Sequence, residues 1–252
     1  MAILDTADIR EQMLAWRHAD QWQMQCMSFL SNTIDVLKAV AQLQYNGQDE
    51  AGRHRLVIMQ TLAIRLLNTI GAADEMMVQG YYQQTAILVR DIMESSFLLD
   101  LFSRKPEHLQ PWIDLGTDAG KKVYSPVAVR LLLEEMDGPE AAVRQRLYSF
   151  YSSHGTHPNA KGILFIAPNN AVEIGPFADQ HRLIALTGDM TRLSVMAATH
   201  LGQWLILSGI DLVDDDIFHS INGVLTNINA RFLELGALLQ HMPGMADEPE
   251  PN

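Results

Sequence analysis

Leu56, Met59, Ala63, Leu66, Ile70, Ala73 and Met77 recur at alternating steps of three and four without a break. No strand can keep seven such residues on one face, because side chains on a strand alternate with a period of two. A helix can, and steps of three and four are the spacing of two helices lying side by side. This segment is therefore expected to be a long helix, about Glu50 to Gln79, that needs a helical neighbour.

The segment before it supplies one. A helix from about Thr6 to Leu43, with Asp5 or Thr6 as N-cap, carries a seam at Met27, Leu30, Ile34, Leu37 and Ala41. Its first half is more polar, with Asp20 and Gln23 on the same line, and is expected to project from the core or meet a partner. The short stretch Tyr45 to Glu50 turns the chain, so residues 6–79 should form an antiparallel helical hairpin. Gly71 interrupts the second helix, and close helix packing is the expected reason.

The third helix, about Tyr81 to Ser103, is apolar nearly all round and belongs in the middle of a bundle. Pro106, Pro111, Gly116 and Gly120 then mark a broken region with room for one short helix. Ser125-Pro126 starts another helix, with serine as cap and proline at the first position, and Asp137-Gly138 ends it. Pro139 opens a helix that runs into Tyr148 to Asn159. Residues 162–175 hold two β-rich runs around Pro168-Asn169-Asn170 and read as an inserted β-hairpin. A long helix, about Ala178 to Ser208, has its seam at Leu183, Leu186, Met190, Leu193, Ala197, His200, Trp204 and Leu207. A last helix follows the acidic cap Asp214 to Asp216, and residues 242–252 read as a disordered acidic, proline-rich tail. The expected fold class is all-α: an up-and-down bundle of six to seven main helices in a single domain over residues 1–241, with one inserted β-hairpin.

Composition narrows the functions. Thirty acidic against 18 basic residues give a net charge of −12, which disfavours RNA or DNA as a general partner. The one cysteine, Cys26, rules out an internal disulfide and suits a reducing compartment. No signal sequence is visible, so a cytoplasmic location is expected. The uncharged run Leu193 to Ile210 is 18 residues long and interrupted by polar groups; a buried helix fits it better than a membrane span. No phosphate-binding glycine loop, dinucleotide fingerprint or His-Glu-x-x-His pair occurs, so neither a cofactor nor a metal is expected.

Three residues stand out as a candidate site. Arg90 and Glu94 lie one turn apart on the central helix and need partners, each other first. His154 continues the apolar stripe of Val143, Leu147 and Phe150, so it should point inward. The bland reading is a core histidine that locks the late helix against Arg90 and Glu94. The sharper reading is an acid–base cluster, since histidine titrates near neutrality. His157 with His154 makes too few ligands for a metal, and His200 beside Trp204 reads as a core residue.

Arg90 and Glu94, followed later by Tyr148, Ser153-His154 and His157-Pro158, resemble a bacterial family of helical proteins laid out like the HEPN superfamily. The resemblance spans about Tyr81 to Pro158 together with the helix order. It implies an α-bundle, a homodimer and a role in bacterial stress or defence. HEPN ribonucleases cut RNA without a metal, using an arginine and a histidine a few residues apart; here seven residues separate Arg146 from His154. The leading expectation is a non-catalytic cytoplasmic protein acting by self-association or by binding a protein partner. The alternatives are a HEPN-like ribonuclease using His154 with Arg90 or Arg146 and Glu94, and a small-molecule sensor with a pocket between the third and sixth helices near Glu94 and Trp204.

Overall fold

The computed structural model describes residues 6–115, 122–138, 141–154, 165–166, 175–213, 219, 221–227 and 230. The described long elements are α1 (Ala7–Ala19), α2 (Gln21–Gln42), α3 (Glu50–Val78) and α4 (Tyr82–Arg104). A 3-10 turn at Pro106–His108 and the short α5 (Leu109–Asp114) follow. Then come α6 (Pro126–Asp137), α7 (Ala141–His154) and α8 (Gln180–Leu207), with a further helical stretch over 221–227. The fold is all-helical.

The α3 seam is buried at every one of its expected positions. Each of its large aliphatic side chains contributes about 1.5–3 kcal/mol of burial free energy. Asp49 caps the helix by accepting from the Gly52 amide. Gly71 is exposed, and a Cβ built on it would meet nothing within 4 Å, so close packing does not explain that glycine.

The expected first helix is two helices. Asp20 takes an extended backbone (φ −101°, ψ 115°), and its carboxylate accepts from the Gln23 amide at 2.9 Å. Asp20 thereby caps α2 rather than continuing α1. The break folds α1 back: Met13 is fully buried, Arg17 is buried against Asp74 at 2.9 Å, and Gln23 is sealed in the core. So the polar first half does not project from the core. The buried face of α2 is Cys26, Phe29, Leu30, Thr33, Val36, Leu37 and Val40, while Met27, Ile34 and Ala41 of the expected seam flank it half-buried.

α4 is central, as expected, packing on α3, α6, α7 and α8. Its most extensive neighbour is α8, which also covers α2 and α3. α2 approaches α8 closely, because Gly188 leaves room for the Trp22 ring; a Cβ there would sit 2.9 Å from it. Among the described residues the buried apolar side chains join in one core. On α8 the expected seam is buried except for His200, partly open, and Leu207, which is 67% exposed.

Two junctions tie α8 to the N-terminal half. Gly80 turns α3 into α4 with φ +81°, and a Cβ there would meet the Phe177 carbonyl oxygen at 2.5 Å. The Tyr82 hydroxyl accepts from the Asp179 amide (2.8 Å) and donates to the Asp179 carbonyl (3.1 Å). At the other end, Asn46 donates to the Asp211 carbonyl and Val213 to that of Gln44, both at 2.9 Å.

The inserted β-hairpin is not supported. Within residues 162–175 only Phe165, Ile166 and Gly175 are described; Phe165 lies in a 3-10 turn, Ile166 in a turn and Gly175 in a bend. The rest of the expected hairpin, the Asp214 to Asp216 cap and the tail 242–252 lie outside the described residues. Among the described residues there is no strand, and the helices outnumber the six or seven expected because the first splits at Asp20 and short turns add to the count. By length and composition alone α3 could cross a membrane; here it packs against α2, α4 and α8.

Candidate functional site

One face of α4 carries Asp91, Glu94, Ser95, Phe97 and Leu98 into a cleft of about 190 Å³. α3 walls it with Leu62 and Arg65, α5 with Trp112, and the start of α6 with Pro126 and Val129, next to Tyr124. The cleft exists because α6, started by Ser125 accepting from the Ala128 amide at 3.2 Å, leans over α4. Its lining is mostly apolar and aromatic, and Arg65, Asp91 and Glu94 carry its charge.

That charge is largely paired. Arg65 binds Asp91 in a forked contact, with Nε 3.3 Å from Oδ2, and the Thr69 hydroxyl donates to the same carboxylate at 3.0 Å. Arg90 Nε donates to Glu94 Oε1 at 2.7 Å, as the sequence suggests. Burial pushes the Glu94 carboxyl above the ordinary range even against the pull of Arg90. Ser95 is 8% exposed, lines the cleft, and shows no side-chain hydrogen bond to a described residue. The Tyr124 hydroxyl, raised by burial, lies 3.2 Å from His108 Nδ1.

Behind the cleft, a network of charges holds its walls together. Arg144 of α7 donates through Nη2 to Asp100 of α4 (2.9 Å) and to Asp137 at the end of α6 (2.7 Å). Arg104 closes the figure: its Nη1 donates to Asp137 (2.6 Å), and its Nε makes a 2.7 Å ionic contact with Asp100 that is not a linear hydrogen bond. The Arg144 guanidinium also lies 4.7 Å over the Phe97 ring, whose residue lines the cleft. Asp100 is 1% exposed. Burial would raise the Asp137 carboxyl, but hydrogen bonds from Arg144 and Arg104 outweigh it and hold the group below its ordinary value. His200 of α8 sits 3.6 Å from Asp100; burial lowers its pKa although Asp100 opposes the shift.

The three expected site residues separate into two places. Arg90 and Glu94 pair, and Arg90 reaches the Tyr148 ring of α7 at 5.9 Å. His154 lies six residues beyond Tyr148, about 9 Å further along the helix axis. Its ring is 5% exposed and stacks on Phe150 at 4.5 Å. Its Nδ1 lies 3.0 Å from the Phe150 carbonyl and 2.9 Å from the Ser153 hydroxyl. A carbonyl only accepts, so Nδ1 carries the hydrogen. His154 thus points inward as expected, and its hydrogen bonds and ring contact are with its own helix. Arg146 is exposed, and His157 lies outside the described residues. Among the described residues no three His, Cys, Asp or Glu side chains could hold a metal ion.

The pocket near Glu94 has different walls from those expected. It is walled by α3, α4, α5 and α6, while Trp204 is 1% exposed in the core. Sequence reading missed Asp100, Asp137 and Arg144 as a unit. A charged residue inside an apolar run, as Asp100 is between Leu99 and Leu101, was the available signal. It also missed the buried link from the Tyr151 hydroxyl to Asp189 at 2.6 Å, which joins α7 to α8. Comparison with protein-family models, with curated proteins and with solved structures gives no match to this chain.

Proposed function

We propose that this chain is a non-catalytic helical binding protein whose site is the cleft at Glu94. The observation that carries the proposal is the composition of its walls. Leu62, Phe97, Leu98, Trp112 and Val129 offer apolar and aromatic surface, and a few polar groups among them can fix an orientation. Small-molecule sites have this character. Asp91 and Glu94 already face arginines, an arrangement suited to holding a ligand rather than to moving protons. His154, which a ribonuclease would need to present, has its ring packed on Phe150. The test is a thermal-shift screen of small metabolite-like compounds against the wild type and Val129→Trp, which fills the cleft. Compounds that stabilise the wild type and not the variant support the proposal. No stabilising compound, or equal shifts in both proteins, would sink it.

Self-association is the second reading. Val127 and Leu131 lie one turn apart on the outer face of α6, 43% and 52% exposed, with Val123 just before them and Val143 exposed on α7. A second copy of the chain is the partner proposed for this stripe. Sedimentation equilibrium should give a dimer that Leu131→Glu dissociates; a wild-type monomer at tens of micromolar, by order of magnitude for a stable assembly, would remove this reading.

A further inference from the structure

Taking the cleft as the binding site, as proposed above, we infer that its ligand is a small amine, protonated at neutral pH, with an aromatic or compact apolar body. The volume sets the size. About 190 Å³ lies below the ~300–1,000 Å³ of sites for drug-sized ligands, so one ring with a short arm fits. The walls set the body: Trp112 and Phe97 present aromatic surface, and Leu62 and Val129 complete an apolar enclosure.

The charge sets the head group. Among the described residues of the cleft wall Arg65 is the one cation, and two of its N–H groups already go to Asp91. An anionic ligand would meet a guanidinium whose charge that carboxylate, also held by Thr69, already balances, and it would lie near a second carboxylate, Glu94. Glu94 differs. Arg90 takes Oε1, and a carboxylate has four acceptor positions, so capacity for another donor remains. About a quarter of the Glu94 side chain is open. Ser95, one residue on, lines the cleft, and its hydroxyl takes no described side-chain partner, so it is available to accept a second N–H. The aromatic walls favour a cation further. Burial that disfavours the ionised Glu94 carboxyl is relieved by an ammonium brought against it.

Three probes of one shape separate the possibilities: phenethylamine, 2-phenylethanol and phenylacetate, titrated by saturation-transfer NMR against wild type, Glu94→Gln and Val129→Trp. The amine should bind at least about tenfold tighter than the alcohol or the acid, the scale of a charge-assisted hydrogen bond. Glu94→Gln should cut the amine's affinity about tenfold and the alcohol's clearly less, and the alcohol binding that remains also shows that the variant is folded. Alcohol or acid binding as tightly as the amine, or an amine indifferent to Glu94→Gln, overturns the amine inference while leaving the cleft as a site. If no probe binds the wild type, or all bind Val129→Trp equally well, the cleft reading fails and the inference fails with it.

Discussion

Replacing Arg144 by methionine removes the guanidinium from between two carboxylates, Asp100 at 2.9 Å and Asp137 at 2.7 Å. Asp100 is 1% exposed and cannot recover water in place of the lost donor. Breaking a buried ion pair by deleting one partner costs about 3–5 kcal/mol. Two features place this case near the lower end. Arg104 stays 2.7 Å from Asp100 and 2.6 Å from Asp137, and the methionine stem can still cover Phe97. The expected loss is therefore about 3 kcal/mol, read from urea unfolding as a lower midpoint with an unchanged slope. Asp100→Leu alone should cost a similar amount, for it leaves Arg144 with Asp137 only. The double variant should recover part of the sum, giving a coupling of at least about 1 kcal/mol. Arg144→Lys keeps the charge but loses the fork and should fall between. A loss below about 1 kcal/mol for Arg144→Met, or strict additivity in the cycle, would refute the network as the brace of α4, α6 and α7.

The remaining predictions concern single groups. Gly71→Ala should stabilise the protein by about 0.5–1 kcal/mol in the same unfolding assay, since the site is exposed, helical and unobstructed. His200 is held below its ordinary pKa by burial, so the unfolded chain binds its proton first on acidification. Stability should therefore fall as pH drops from about 6.5 through the folded-state value, and His200→Gln should flatten that segment of the pH profile. Asp137, held low, adds a second loss in the acid range, beginning near its ordinary carboxyl value and running downward. Burial pushes the Cys26 thiol up to about 12, so a thiol reagent at pH 8 should label it only on unfolding; rapid labelling of the native protein would contradict its packing.

The interior of α3 is legible residue by residue because its period alone decides which side is buried, and every residue of that seam lies inside. The break at Asp20 is not. An aspartate within a run of good helix formers carries the same local signal whether it caps a helix or sits on its surface, and only α1 packing back on the core decides. The α2 face turned for the same reason: once the helix starts at Gln21, its neighbours α3 and α8 set its rotation. For the site, the Arg90–Glu94 pair follows from one-turn spacing. The cleft walls do not, since Leu62, Trp112 and Val129 meet only after three helices pack. Likewise Asp100 and Arg144 are 44 residues apart, and no local pattern joins them.

The place of α8 in the chain has a consequence for synthesis. It covers α2, α3 and α4, yet roughly a hundred residues separate its end from the end of α4. A ribosome adding ~5–20 residues per second needs about 5–20 s to make that stretch. Throughout that interval the apolar faces of the emerged helices wait for their cover. Nascent chains stalled before Gln180 should therefore be open to protease and should engage chaperones, whereas chains stalled well beyond Leu207 should not.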